Sequence, residues 1–557
     1  MSAKRVFIVG GVAGGASCAA RLRRMDESAE IVMFERGPDV SFANCGLPYY
    51  LGGVIEQRDD LLVASPERFR TVFNVDVRVR HEVRAIDPGA KTINVADLAT
   101  GSTSTESYDV LVLAPGAEPV RPPLPGIDSP GVFTLRSLED TDAILAAITQ
   151  REARRAVIIG AGYIGLEMAE NLVRRQMSVT VLELLPQVMA PMDPEMVTPA
   201  QEELRHHGVD LRLQTPASAI EMGPGGDVLT VQTTAGEHLP ADLVILAVGV
   251  KPEVHLAEQA GLALGTTGGI KVDDQMRTSD PHIFAVGDAV EVRDFVTGQP
   301  TLIPLAGPAN RQGRVAADVI AGRDARFRGT QGTAVCGMFG LTLAMTGASE
   351  KVLRRNDIAY QKSYTHSPDH ASYYPGAEQM AIKLLFDPGD GRVLGAQAVG
   401  RAGVEKRIDV IAMAIQKGAT VFDLEEAELC YAPQYGNAKD PVNMAGFVAG
   451  NILRGDIDVV HWDQWQQVQH HPADEQTPLV LDVRPPENVA AAAVPGTMKI
   501  PLGKLREHIA ELPRDREIWV HCGIGQASYY ANRVLRQCGF QRVKNLSGGI
   551  TSFKMQP

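Results

Sequence analysis

Short apolar runs, each followed by a glycine-rich loop and then by apolar residues at helical spacing, occur twice in the chain. The first run, VFIV at 6–9, precedes the loop GGVAGG at 10–15 and apolar positions at 18, 19, 22 and 25. The run predicts a buried parallel strand, and the later spacing predicts a helix. Glycines at this junction let a pyrophosphate approach the helix N-terminus. The pattern therefore predicts a dinucleotide-binding βαβ unit, although Val12 replaces the middle glycine of GxGxxG.

The second copy of this pattern matches the fingerprint fully. The run AVII at 156–159 leads into GAGYIG at 160–165 and a further helical pattern. In each copy the next strand ends at an acidic residue, Glu35 or Glu183, which accepts hydrogen bonds from ribose hydroxyls. A carboxylate at Glu183 also repels a 2′-phosphate, and no Lys or Arg follows at 184–186. We therefore expect NADH rather than NADPH.

The pattern begins anew after NILRG at 451–455. The run IWVH at 518–521 ends directly at Cys522, which opens the loop CGIGQA before another helical stretch. A thiol in such a strand-to-helix loop faces backbone amides and a helix dipole, and both favour the thiolate and a bound persulfide. These features predict a separate C-terminal α/β domain with its own sulfur chemistry.

Length, charge and cysteine content narrow the class of protein. A chain of 557 residues is too long for one core and predicts three or four domains. The net charge of −13 argues against a nucleic-acid partner. No apolar run reaches transmembrane length and MSAKR leads directly into a strand, so we expect no membrane partner and a cytoplasmic protein. The six scattered cysteines fit a reducing compartment, and no metal site is predicted.

Cys45, in the segment SFANCG at 41–46, is the candidate redox residue. It has no CxxC partner, so it cannot form a local disulfide. Its oxidised form must therefore be a sulfenic acid, a persulfide or a mixed disulfide with a small thiol.

Two further segments extend the pattern to a known class. TSDPHIFAVGDA at 278–289 resembles the second flavin motif of the two-dinucleotide-binding flavoprotein reductases, and AVGVKP at 247–252 resembles the strand that closes their NAD domain. The resemblance implies FAD at the first glycine loop, with Asp288 on a ribityl hydroxyl, and NADH at the second. The residues expected to bind these cofactors are Gly10, Gly11, Ala13, Gly14, Glu35, Arg36, Val83, Ala114, Gly116, Gly160, Gly162, Ile164, Gly165, Glu183, Gly249, Gly287, Asp288 and Ala306.

Three families carry a single flavin-facing cysteine in this context: NADH peroxidases, water-forming NADH oxidases, and coenzyme A-disulfide or persulfide reductases. The first two carry a histidine in the first glycine loop, where this chain has Ala13. SFANCGLPYY at 41–50 resembles the coenzyme A-disulfide reductase motif instead. HASYYPG at 370–376 and YAPQYGNAKDPVNMAG at 431–446 also resemble that family.

The resemblance implies further site residues. In that family a tyrosine from each of the two later segments reaches across a homodimer to the sulfur site. Tyr431 matches one, and Tyr373 is preferred for the other with Tyr374 as the alternative. A phenol can protonate a departing thiolate. The residues implied for coenzyme A are Arg21, Arg24, Ser41, Asn44, Asn310 and Lys439.

The C-terminal segment resembles rhodanese domains. LDVR at 481–484 resembles their strand motif, and VPGTMKIP at 494–501 resembles their PGAxNIP turn. The loop departs from the common CxxGxR because Ala527 occupies the arginine position. The loop thus lacks a cation for an anionic donor, and we expect neutral or differently anchored persulfides rather than thiosulfate.

The expected fold is an α/β two-dinucleotide-binding-domain flavoprotein, with FAD and NAD Rossmann-like domains, an α+β dimerisation domain and a C-terminal α/β rhodanese-like domain. The expected boundaries are 1–118 with 255–325 (FAD), 119–254 (NAD), 326–449 (dimerisation) and 460–557 (rhodanese-like). The implied cofactors and ligands are FAD, NADH and coenzyme A.

The implied activity is NADH-dependent reduction of persulfides or polysulfides, of the coenzyme A persulfide type, to hydrogen sulfide and thiol. Cys45 performs the reduction and rests as a mixed disulfide with coenzyme A, while Cys522 carries sulfane sulfur. The alternatives are a coenzyme A-disulfide reductase, an NADH oxidase or peroxidase, and a sulfur-delivery protein in which Cys522 donates to an acceptor protein.

Overall fold

The computed structural model describes residues 3–150, 152–223, 228–469, 477–491 and 494–556. Two compact units divide the chain. One comprises 1–186 with 205–332, and the other comprises 187–204 with 333–557.

The strands are β1 (Arg5–Val9), β2 (Glu30–Glu35), β3 (Asp76–Val79), β4 (His81–Asp87), β5 (Thr92–Asp97), β6 (Thr103–Ser107), β7 (Val110–Leu113), β8 (Ala117–Pro119), β9 (Val132–Phe133), β10 (Arg155–Ile159), β11 (Ser178–Leu182), β12 (Asp210–Arg212), β13 (Ala217–Met222), β14 (Leu229–Thr233), β15 (His238–Ala241), β16 (Leu243–Leu246), β17 (Val250–Pro252), β18 (Ile270–Lys271), β19 (Ile283–Ala285), β20 (Val290–Arg293), β21 (Pro300–Thr301), β22 (Ala334–Met338), β23 (Leu341–Gly347), β24 (Gln361–Pro368), β25 (Gln379–Phe386), β26 (Val393–Gly400), β27 (Asp458–Val460), β28 (Leu479–Asp482), β29 (Met498–Lys499), β30 (Ile518–His521) and β31 (Val543–Leu546).

The α-helices are α1 (Ala13–Arg23), α2 (Leu47–Leu51), α3 (Pro66–Phe73), α4 (Leu138–Gln150), α5 (Tyr163–Arg174), α6 (Pro194–His206), α7 (His255–Gln259), α8 (Ala306–Ile320), α9 (Glu350–Arg355), α10 (Val404–Gln416), α11 (Val421–Glu426), α12 (Pro441–Leu453), α13 (Trp462–Gln469), α14 (Pro486–Ala491), α15 (Gln526–Gln537) and α16 (Gly549–Lys554). Short 3₁₀ helices span Asn44–Gly46, Arg58–Leu61, Leu502–Glu507 and Ile509–Glu511.

Two parallel sheets organise the first unit. One has the order β19-β7-β1-β2-β3 and the other the order β12-β11-β10-β16-β9. In each sheet the strand that precedes a glycine loop is central, and Val6, Phe7 and Ile8 of β1 are fully buried. Both predicted βαβ units are therefore present. In such sheets dinucleotides bind at the carboxyl ends of the strands, where the two glycine loops lie.

The second unit contains an antiparallel sheet and a parallel sheet. The antiparallel sheet has the order β22-β23-β26-β25-β24, and every residue of β26 is buried. Helices α10 and α12 pack on it. The parallel sheet has the order β27-β31-β30-β28-β29, and Cys522 follows its central strand β30. The thiol predicted at a strand-to-helix junction thus lies at the carboxyl edge of a parallel sheet.

Candidate active sites

The first glycine loop is built around Glu35 at the end of β2. Its carboxylate accepts hydrogen bonds from the backbone N–H of Gly11 at 2.9 Å and of Gly37 at 2.8 Å. Gly10 has φ of +96°, and a Cβ there would lie 2.1 Å from the carbonyl oxygen of Ala114. Only glycine fits this approach between the β1 loop and the end of β7. Glu35 is thereby held where a ribose would lie.

The second glycine loop repeats this arrangement around Glu183. Its carboxylate accepts hydrogen bonds from the N–H groups of Ala161 at 2.7 Å and Leu185 at 2.8 Å. Gly160 has φ of +105°, and a Cβ there would lie 2.4 Å from the Ala247 oxygen. A Cβ added at Gly162 would meet nothing within 4 Å. The loop is therefore closely packed against the protein at Gly160 and open at Gly162, and the open side fits a dinucleotide pyrophosphate.

The other predicted cofactor residues lie around these loops. Val83 is buried in β4, Ala114 and Gly116 follow β7, Ile164 is in α5, and Ala306 begins α8. Arg36 is exposed and lies 3.9 Å from Glu82. A Cβ at Gly249, like one at Gly162, would meet nothing within 4 Å, whereas Gly14 packs against residues 286, 287 and 309 and Gly165 packs against Gly160 of its own loop.

Gln312, which sequence reasoning missed, fixes the segment around Asp288. The side-chain oxygen of this buried α8 residue accepts from the N–H of Gly287 at 2.7 Å. Burial raises the pKa of the neighbouring Asp288 carboxyl, and the positive charge of Arg136 partly offsets this rise. Gln312 lies in a helix with an ordinary amphipathic pattern, so no local signal distinguishes it.

Cys45 lies in the 3₁₀ turn that leads into α2. The residue is exposed, yet the protein packed around its thiol raises the pKa of Cys45, and the charges of Glu167 and Asp288 add to this rise. Tyr49, on α2, donates a hydrogen bond to Glu167 on α5 at 3.1 Å. Burial raises the pKa of Glu167 to about 7, which the Tyr49 bond moderates. The pKa of the Cys45 thiol is therefore raised by the charge of a carboxyl group that itself titrates near neutral pH.

The residues predicted to bind coenzyme A lie in three parts of the chain. Arg21 and Arg24 belong to the end of α1, and Asn310 lies on α8, which packs beside α1. Arg21 is committed to an ion pair with Asp318 at 2.7 Å, whereas Arg24 is exposed. Ser41 precedes the turn that carries Cys45, Asn44 is the first residue of that turn, and Lys439 is an exposed residue of the second unit.

Tyr373 and Tyr431 lie together in the second unit. Their hydroxyl groups are 2.8 Å apart, although 58 residues separate them and both side chains are exposed. The N–H of Ala371 donates to the oxygens of Pro433 and Gly436 and ties the two loops together. The hydrogen bond with Tyr431 raises the pKa of Tyr373.

Tyr374 takes a different position, edge-on to His370 with ring centroids 5.8 Å apart. Pairing of Tyr373 with Tyr431 therefore favours Tyr373 as the second tyrosine of the predicted site.

Cys522 is buried with two hydrogen-bond donors at its sulfur. The N–H of Gly525 lies 3.2 Å from Sγ, and the hydroxyl of Ser528 lies 3.3 Å from Sγ and 3.1 Å from the carbonyl oxygen of Gly525, two acceptors that share its one proton. Donors at this range stabilise a thiolate or a persulfide. Ser528, completely buried on α15, was not identified from the sequence.

A cavity of about 350 Å³ opens at this sulfur. Its described lining includes one cation, Arg484, whose guanidinium is bound by the Asp482 carboxylate at 2.7 Å. Ala527 forms part of the wall and offers no charge. His521, next to Cys522, has its pKa lowered to about 4 by burial and is neutral at physiological pH.

None of the helices in the described ranges is long and apolar enough to cross a membrane.

Comparison with known families accounts for most of the chain. Residues 4–313 match the pyridine nucleotide-disulphide oxidoreductase family, 333–440 match the dimerisation domain of those enzymes, and 465–556 match rhodanese-like domains. The coenzyme A disulfide reductase of Staphylococcus haemolyticus is 37% identical over 450 residues, which cover 81% of this chain and 100% of that protein.

Two solved structures are similar over nearly the whole chain. Reduced Bacillus anthracis CoADR-RHD is 46% identical, with a TM-score of 0.96 over 100% of this chain and 98% of that one. An NAD-dependent persulfide reductase from A. fulgidus is 39% identical, with a TM-score of 0.91 over 99% of this chain and 100% of that one. The water-forming NADH oxidase of Lactobacillus brevis is more distant, at 29% identity and a TM-score of 0.77 over 82% of this chain and 100% of that one.

These matches confirm the fold class predicted from the sequence, including the dimerisation and rhodanese domains. The chain therefore belongs to the FAD-dependent pyridine nucleotide-disulfide oxidoreductases, in a form that ends in a rhodanese domain.

Proposed function

We propose that the protein uses NADH to reduce coenzyme A persulfide and related persulfides to hydrogen sulfide and a thiol. The observation that carries this proposal is the presence, in one chain, of an exposed thiol at Cys45 and of a buried thiol at Cys522 whose sulfur accepts a hydrogen bond from the N–H of Gly525. A domain for sulfur transfer has no evident use in reducing a symmetrical disulfide. The similarity to an NAD-dependent persulfide reductase over the full chain supports the same activity.

The glycine loops and their acidic residues would hold the two dinucleotides. Glu35, Gly10 and Asp288 would bind FAD, and Glu183 with the open face at Gly162 would bind NADH. When bound, FAD supplies the route by which two electrons from NADH reach the sulfur of Cys45. The carboxylate of Glu183 would exclude the 2′-phosphate of NADPH.

Cys45 is the nucleophile in this proposal. Its thiolate attacks the inner sulfur of coenzyme A persulfide, so that the S–S bond of the persulfide breaks, sulfide leaves, and a Cys45–coenzyme A disulfide forms. Two electrons then reduce that disulfide to the Cys45 thiolate and the coenzyme A thiol. The sum is one persulfide, one NADH and one proton converted to sulfide, thiol and NAD⁺.

Tyr373 and Tyr431 would protonate the sulfide that leaves when Cys45 attacks the persulfide, and the coenzyme A thiolate released when the mixed disulfide is reduced. Because each hydroxyl is hydrogen-bonded to the other at 2.8 Å, the pair can pass one proton and share the charge that remains. Their exposure in the single chain fits a homodimer in which the loops of one subunit serve Cys45 of the second. Coenzyme A would lie along Arg24, Ser41, Asn44, Asn310 and Lys439.

Cys522 would take sulfane sulfur from an organic persulfide and pass it to coenzyme A or to Cys45. Thiosulfate is a poor fit because the Arg484 charge at the cavity is already neutralised by Asp482. A dianion placed there would lose its hydration without gaining a free cation.

Three cysteine variants test this division of roles. Sulfide release is measured anaerobically with NADH, first with coenzyme A persulfide and then with glutathione persulfide plus coenzyme A. Cys45→Ser should abolish release from both donors, whereas Cys522→Ser should lose it mainly from glutathione persulfide. Cys538→Ser, which removes an exposed cysteine of the same C-terminal domain, should match the wild type.

Unchanged turnover in Cys522→Ser would refute the delivery role of that thiol. Turnover in Cys45→Ser would refute the proposed chemistry as a whole.

Reduction of coenzyme A disulfide is the second candidate function. The Staphylococcus haemolyticus coenzyme A disulfide reductase aligns over its full length with 81% of this chain. That activity requires Cys45 and the tyrosine pair but not Cys522, so it predicts full activity in Cys522→Ser.

A further inference from the structure

The segment 547–552 (SGGITS), here called the glycine turn, consists of a turn at Ser547 and Gly548 and the first residues of α16, and it is hydrogen-bonded to the Cys522 loop. The N–H of Ile550 donates to the carbonyl of Cys522 at 2.9 Å, and the N–H of Thr551 donates to the carbonyl of Gly523 at 3.0 Å. The backbone carbonyl groups of Cys522 and Gly523 are therefore hydrogen-bonded to the glycine turn.

The glycine turn has no free space on either side. Gly549 has φ of +62°, and a Cβ there would lie 2.7 Å from the carbonyl oxygen of Cys522. Gly548 has φ of +69°, and a Cβ there would lie 2.8 Å from Cβ of Tyr364 on β24. Displacement of the turn in either direction would therefore be transmitted to its neighbours by direct contact.

On the side away from Cys522, the turn is held by the dimerisation sheet. The Nε2 atom of His366 and the hydroxyl of Ser552 are hydrogen-bonded at 2.8 Å, and the N–H of Tyr364 donates to the hydroxyl of Ser547 at 3.2 Å. His366, Ser547 and Ser552 are buried. Burial lowers the pKa of His366 to about 4, so the imidazole is a neutral hydrogen-bonding group at physiological pH.

We propose that His366 is a positioning residue of the sulfur-transfer site: through Ser552 and the glycine turn it fixes the loop that carries Cys522. The inference rests on the proposed function only in treating Cys522 as the sulfur carrier. The strand β24 that bears His366 continues into the loop of Tyr373. One strand of the dimerisation domain therefore supports elements of both proposed sulfur sites.

The test is the reactivity of Cys522 itself, which does not depend on the physiological substrate. Full-length wild type and variants are treated with iodoacetamide at pH 7, and alkylation of the Cys522 peptide is followed by mass spectrometry. NADH-dependent reduction of coenzyme A disulfide is measured on the same samples as a readout of the Cys45 site. A displacement of a reactive group by about 1 Å costs up to about a hundredfold in rate.

His366→Ala should change the Cys522 alkylation rate about tenfold or more, while disulfide reduction stays near wild type. His366→Gln, whose side-chain amide can donate to or accept from the Ser552 hydroxyl at similar reach, should restore part of the rate. The matched control is Thr365→Val on the same strand. Its side chain points to the opposite face, and its buried hydroxyl has no hydrogen-bond partner among the described residues.

An alkylation rate in His366→Ala equal to that of Thr365→Val would overturn the proposal. If His366→Ala instead loses both normal Cys522 alkylation and disulfide reduction, the same two measurements are made on Ser552→Ala. That variant removes the same hydrogen bond with a smaller change, and an equal loss of both readouts there would overturn the proposal. A selective effect on Cys522 would uphold it even if the protein proved not to reduce persulfides.

Discussion

Replacing Ser528 by alanine removes one of the two donors that contact the sulfur of Cys522. The hydroxyl lies 3.3 Å from Sγ, and both residues are buried, so water cannot take its place. A hydrogen bond to a charged group contributes about 1.5–3 kcal/mol. Because sulfur is a weak acceptor, the lower end applies here, and about 1.4 kcal/mol corresponds to a factor of about ten.

Ser528→Ala should therefore lower the rate at which iodoacetamide alkylates Cys522 at pH 7 about tenfold. The same variant should load sulfane sulfur from glutathione persulfide more slowly by a similar factor. Ser528→Thr, which keeps the hydroxyl, is the control, and thermal unfolding checks that both variants are folded. Wild-type alkylation in a folded Ser528→Ala protein would show that the hydroxyl does not stabilise the sulfur.

Three further predictions concern the remaining parts of the two sites. Glu167→Gln should remove a titration near pH 7 from the pH profile of Cys45 alkylation. Above pH 7 it should speed alkylation because a negative charge beside the thiol is lost. An unaltered profile would show that Glu167 does not influence the Cys45 thiol. Tyr431→Phe should slow single-turnover formation of the Cys45–coenzyme A disulfide about a hundredfold or more while the dimer persists by light scattering; a wild-type rate would exclude its role as the acid. Ala527→Arg should create a measurable rate of sulfur transfer from thiosulfate at Cys522, since it adds a cation at the cavity wall; if the wild type already uses thiosulfate, the specificity argument is wrong.

The local sequence pattern was sufficient to predict the two βαβ units. Gly10 and Gly160 must be glycine because adjacent backbone occupies the space of a side chain, and Glu35 and Glu183 end strands at the edge where ligands bind. The carbonyl groups of Ala114 and Ala247 that exclude those side chains lie far along the chain. The order of strand, glycine loop, helix and second strand is nevertheless local, so a motif records it. The reactive position of Cys522 was visible for the same reason.

The residues that tune the sites could not be predicted locally. Tyr49 meets Glu167 across 118 residues, and His366 meets Ser552 across 186. Each of these residues lies in a segment whose pattern is that of an ordinary helix or strand. Their roles follow from packing between elements, which one sequence without its fold does not specify.

Persulfide reduction as the physiological reaction is tested most directly by anaerobic NADH oxidation with the wild-type protein. Coenzyme A persulfide and coenzyme A disulfide are compared at equal concentrations, with sulfide measured alongside NADH. A persulfide reductase should show a larger kcat/KM for the persulfide and release one sulfide for each NADH consumed. A preference for the disulfide, or NADH oxidation with persulfide but without sulfide release, would refute persulfide reduction as the physiological reaction.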